Sequence, residues 1–112
     1  MPLYHGISLE DALKAAKDGK VEAPDNPVFD EVLLLRDDIK LAEWDAFCKR
    51  TAKSVVLAFA PPPQELEHGW PCEYKSVSLD YLREVHILVP ARPDENAVRD
   101  AYAKYRVKIV VR

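Results

Sequence analysis

The sequence predicts a single α+β domain over residues 1–112, with a mixed or antiparallel sheet packed by about three helices. Three observations predict it. The chain has 112 residues, 48% of them apolar, enough for one domain with a core of its own. Apolar residues switch between a period of two and a period of 3.6 along the chain. Prolines at 24, 27, 61–63 and 71 cut it into short elements.

Leu3 to Ile7 reads as a first strand. Ser8 is a good N-cap, with Asp11 at the capping-box position. Leu9, Ala12, Leu13 and Ala16 recur at helical spacing, and Gly19 supplies the stop. Lys20 to Pro27 reads as a loop. Glu31 to Leu35 is almost wholly apolar, which predicts a central strand covered on both faces. Asp37 or Asp38 caps a second helix whose expected buried stripe is Leu41, Trp44, Phe47 and Cys48.

Ser54 to Ala60 is the next strand, with Val55, Leu57 and Phe59 on one face, and Pro61-Pro62-Pro63 ends it. Gln64 to Glu73 is irregular and holds His68, Trp70 and Cys72. Tyr74 to Ser78 reads as a strand, Asp80 to Leu82 as a turn and Glu84 to Val89 as a strong strand. Asp94 opens a third helix with the stripe Val98, Ala101, Tyr102 and Tyr105, and Arg106 to Arg112 closes the chain as a strand. The three helical stripes are expected to face one sheet.

Composition narrows the functional classes. The net charge is −3 and the Lys and Arg residues are scattered, so no phosphate-tracking surface is indicated. No run approaches the roughly 18 apolar residues of a membrane helix, and the N-terminus has no signal-peptide pattern. Cys48 and Cys72 stand far apart, which fits reduced thiols in a cytoplasmic protein. The histidines at 5, 68 and 86 lack metal-ligand spacing, so no metal is expected.

Few residues point at chemistry. His5 sits between apolar neighbours on its strand face, as a core histidine or as a ligand contact. Gly6 beside it weakens a strand, and such a glycine often marks close approach to the backbone. Glu84 and His86 share one face of the late strand, about 7 Å apart. They read as a solvated edge or as a carboxylate held on a rigid element. Trp70 is the best candidate for an exposed aromatic anchor.

Leu3-Tyr4-His5-Gly6 resembles the first motif of the ADP-ribosyltransferases of the diphtheria-toxin and poly(ADP-ribose) polymerase type. Residues 31–47 resemble that superfamily's strand–acid–helix block. Arg83-Glu84-Val85-His86-Ile87-Leu88-Val89-Pro90 is similar to the close of its compact toxin-like members of the His-Tyr-Glu type. The likeness covers nearly the whole chain in order of elements, through motifs of two or three residues. It implies an ADP-ribosyltransferase-like fold and transfer of ADP-ribose from NAD to a protein or nucleic-acid acceptor.

In that likeness His5 holds the adenine-side ribose, the Gly6 backbone binds the nicotinamide amide, and Glu84 does the chemistry. Trp44 lies near the place of a second stacking tyrosine, and would line the NAD site. Leu33, Leu34 and Leu35 stand where the family carries an aromatic or hydroxyl residue. Two alternatives remain open: a non-catalytic interaction or inhibitor protein on the same scaffold, docking through Trp70 and the Gln64–Glu73 loop, and an RNA-end 2′-phosphotransferase. No membrane partner is expected.

Overall fold

The computed structural model describes residues 2–23, 33–48, 53–62 and 73–112. Strand β1 (Leu3–Ser8) leads into helix α1 (Leu9–Asp18). The Ser8 side chain accepts the Asp11 N–H at 3.1 Å, and Gly19 closes the helix at φ 80°. That φ lies in the left-handed region, where glycine carries no Cβ penalty. Strand β2 (Lys20–Glu22) and the short β3 (Leu33–Leu34) precede helix α2 (Ile39–Cys48). Asp38 opens α2 by accepting the Lys40 N–H at 2.8 Å.

Strands β4 (Ser54–Phe59), β5 (Glu73–Tyr74), β6 (Ser76–Ser78) and β7 (Leu82–Ile87) follow, then α3 (Glu95–Tyr102) and β8 (Lys108–Val111). The main sheet has the order β1-β4-β7-β8, antiparallel except for the parallel β7–β8 pair. Two small ladders, β2–β6 and β3–β5, stand beside it. The domain is α+β with a mixed sheet and three α-helices among the described residues.

Strand register assigns the faces, because residues paired across a ladder point the same way. One face carries Leu3, His5 and Ile7, then Val55, Leu57 and Phe59, then Val85 and Ile87. These apolar residues pack with Ala12, Ala15, Ala16, Val98 and Tyr102 of α1 and α3 to form the principal core. The other face carries Tyr4, Gly6, Val56, Ala58, Glu84 and His86, and α2 packs on it over β1 and β4. Strand β4 is therefore buried along its whole length.

Four expectations need correction. The three helical stripes do not share one side: α1 and α3 cover one face of the sheet and α2 the other. Residues 33–34 form no central strand. They pair with Tyr74 and Glu73 in a two-stranded ladder, and Leu33 and Leu35 are part of the core. Lys20–Glu22 is a strand rather than a loop, held in an antiparallel ladder by β6, a partner more than fifty residues away that no local pattern marks.

Helix α2 also differs from expectation, in its phase. Ala42 and Ala46 are its buried residues, at 0% and 1% exposure, whereas Leu41, Trp44 and Phe47 are 44%, 62% and 72% exposed. The side chain of Cys48 lies outside the described residues. Ranking by hydrophobicity favours the large residues, but the helix lies too close to β1 to admit them. On α1 the buried set is Ala12, Ala15 and Ala16, with Leu9 and Leu13 half-buried.

Candidate functional site around Glu84 and His86

Strand β7 turns Glu84 and His86 toward the α2 side of the sheet. The helix covers β1 and β4, while Glu84 is half-buried and its register neighbour Lys108 on β8 is exposed. His86 is 8% exposed. Its Nε2 lies 2.9 Å from Glu84 Oε1, and its Nδ1 lies 3.1 Å from Nη2 of Arg112. A guanidinium can only donate. Nδ1 therefore accepts from Arg112, and Nε2 carries the proton that it donates to Glu84.

Arg112 also donates through Nη1 to Oε1 of Glu43 on α2. The result is a chain, Glu84–His86–Arg112–Glu43, that ties the end of β8 to β7 and α2. On the other flank Arg36 holds Asp45 of α2 through two bonds, at 2.8 and 3.1 Å. The helix is thus pinned on both sides by ion pairs. Chemically, the Glu84 chain presents a carboxylate oriented by an imidazole, the pairing a general base or a cation stabiliser needs.

The expected site residues do not meet in one cleft. His5 pairs with Leu57, which pairs with Val85, so His5 lies on the core face. Glu84 pairs with Ala58, which pairs with Tyr4, and lies on the opposite face. A one-residue offset decides this, since side chains alternate across a strand. Gly6 does share the face of Glu84 and His86. Gly6 and His86 sit in one cross-strand row through Val56, two strand spacings or roughly 10 Å apart.

What approaches the Gly6 backbone, however, is helix α2. A Cβ at Gly6 would stand 2.1 Å from the Ala42 carbonyl oxygen and 2.8 Å from the Ala46 nitrogen. Trp44 points away from this contact and stacks on Phe47, with ring centroids 5.6 Å apart. Trp70, His68 and Cys72 lie outside the described residues. Among the described residues no group of three or more His, Cys, Asp or Glu is placed to hold a metal ion. No helix there is long and apolar enough to cross a membrane.

Sequence reasoning placed Glu84 and His86 on one face but missed Arg112 and Glu43, which sit 26 and 43 residues from His86. No local pattern marks them. The approach of α2 did leave a signal, the small residues Ala42 and Ala46 one turn apart with a glycine on a nearby strand. Comparison with protein-family models and with curated proteins finds no match to this chain.

Proposed function

We propose that the chain is an interaction protein, with the outward stripe of α2 as its docking surface. One observation carries this reading: Leu41, Trp44 and Phe47 stand exposed in a row while alanines take the inner face of the same helix. A row of large apolar side chains in water is costly to solubility and marks a contact surface when it is contiguous. Aromatic anchors of this kind dominate binding energy at protein interfaces. Lys40, Asp37 and Asp38 are exposed beside the row and give it the polar rim that such surfaces carry. The occupant is a protein offering an apolar pocket to Trp44.

Two measurements test it. Trp44→Ala and Phe47→Ala should each change stability by no more than about 0.5 kcal/mol in chemical denaturation, as exposed residues do. A loss above about 2 kcal/mol in either would put these side chains in a core and end the reading. Next, a benzophenone amino acid at position 44 traps the partner, which is identified, purified and titrated against the intact chain. Trp44→Ala should weaken that binding by about 2 kcal/mol, roughly thirtyfold. Equal affinity of the two proteins would refute it.

A second reading, ADP-ribose transfer from NAD, is favoured by the Glu84–His86–Arg112 chain. Glu84 is a half-buried carboxylate on an internal strand, a good station for stabilising an oxocarbenium-like charge. His5 has no part in a site on that face, so in this reading NAD is held by groups on the α2 side. Glu84→Gln should abolish turnover and leave NAD affinity nearly unchanged, because only the charge is removed. Calorimetric titration of the folded protein is decisive: no heat at millimolar NAD eliminates this reading and leaves the interaction protein standing.

A further inference from the structure

Among the described residues, strand β8 ends the main sheet with an unpaired edge. At the other edge, on β1, an isolated bridge is made: the Tyr4 N–H donates to the Arg36 carbonyl at 2.6 Å and the Arg36 N–H donates back to the Tyr4 carbonyl at 2.7 Å. At β8 the Arg112 N–H donates to the Ile87 carbonyl at 2.9 Å. In a parallel ladder the residues of one strand alternate in which neighbour they address. Lys108, Val110 and Arg112 therefore turn their backbone groups to β7, and Ile109 and Val111 turn theirs outward. Among the described residues no strand pairs with that outer side.

The edge is also locally basic. Lys104, Arg106 and Lys108 are exposed, and none takes part in an ion pair among the described residues. They stand out in a chain of net charge −3. An unpaired row of N–H and C=O groups is a template for an added strand, and charge selects which strand comes. Two copies of β8 fit poorly. Antiparallel pairing centred on Val110 sets Lys108 opposite Arg112 of the other copy. Parallel pairing sets Lys108 beside Lys108. Like charges directly opposite destabilise a ladder.

We propose that the β8 edge accepts an extended, acidic segment of a partner protein as an added strand. The Ile109 and Val111 backbone groups supply the ladder, and the carboxylates of the segment meet Lys108, Arg106 and Lys104. Main-chain bonds give affinity and alternate side chains give selectivity, as in other strand additions. The site is distinct from the α2 stripe in element and in chemistry, and it stands or falls independently of that surface.

The test uses the intact, isotope-labelled chain and a capped peptide of valine–glutamate repeats. Amide resonances should shift at Ile109 and Val111, and binding should weaken several-fold as salt is raised above the physiological range. Ile109→Pro removes an outward N–H and leaves the β7 bonds of Val110 and Arg112 in place, a substitution an edge strand tolerates. It should cut affinity at least about tenfold with the spectrum still that of the folded protein. Lys108→Glu should exchange the preference to a valine–lysine peptide, a gain that misfolding cannot produce. The proposal is overturned by equal binding of the two peptides to the natural chain or by unshifted β8 amides at millimolar peptide. Concentration-dependent changes at β8 without peptide, the mark of a second copy, would overturn it as well.

Discussion

Gly6→Ala should destabilise the protein by about 3 kcal/mol or more, at the upper end of overpacking costs. The added Cβ would lie 2.1 Å from the Ala42 carbonyl oxygen, 2.8 Å from the Ala46 nitrogen and 2.9 Å from the Ala46 Cβ. Two of these three neighbours are helix backbone, so no rotamer change relieves the contact. Helix α2 would have to lift from β1, and it is anchored on both flanks by Arg36–Asp45 and Arg112–Glu43. Urea denaturation reads the loss directly. A change below about 1 kcal/mol would show that α2 does not seat on Gly6. Such a result would also reopen the Gly6 backbone to a ligand.

Tyr102→Ala should cost about 3–5 kcal/mol, the range for truncating a large buried aromatic. Tyr102 is 1% exposed, and its hydroxyl donates to the Ala12 carbonyl at 2.6 Å. Burial pushes that hydroxyl well above the ordinary tyrosine range, with a smaller contribution from neighbouring Tyr105. Tyr105 repeats the bond one turn along α1, donating to Ala16 at 2.6 Å. Together the two rings tie α3 and the turn that follows it to α1 on the core side of the sheet. Tyr102→Phe keeps the ring and loses one hydrogen bond, so it should cost only about 1 kcal/mol. If the two variants lose equal stability, the hydroxyl rather than ring packing holds α3.

The elements themselves were largely legible. Ser8 and Gly19 bound α1 where capping chemistry puts them. Asp38 caps α2, and Val55, Leu57 and Phe59 share the core face of β4 as period two requires. The stripe of Val98 and Tyr102 on α3 is buried, with Ala101 and Tyr105 beside it. All of these rest on interactions within a few residues or on a single periodicity, which local sequence encodes.

The candidate site was legible only in part. Alternation put Glu84 and His86 on one face of their strand, and register bears this out. Which face of the sheet that was, and that His5 lies on the other, depends on pairing through β4. The bonds from Arg112 to His86 and Glu43 join the end of the chain to two distant elements. No spacing rule reaches across such distances.

The sequence by itself determined the α+β class, both capped ends of α1, the Asp38 cap that opens α2, the buried face of β4 and the placing of Glu84 with His86 on one strand face. Only the tertiary structure decided that α2 turns Ala42 and Ala46 inward and leaves Trp44 and Phe47 to solvent. The physical reason is distance. A helix seated on a bare glycine backbone admits only small side chains between itself and the strand, and that distance is a property of two elements together. Period and hydrophobicity are properties of one element alone, so they rank Trp44 as core, and the Gly6 contact overrules them.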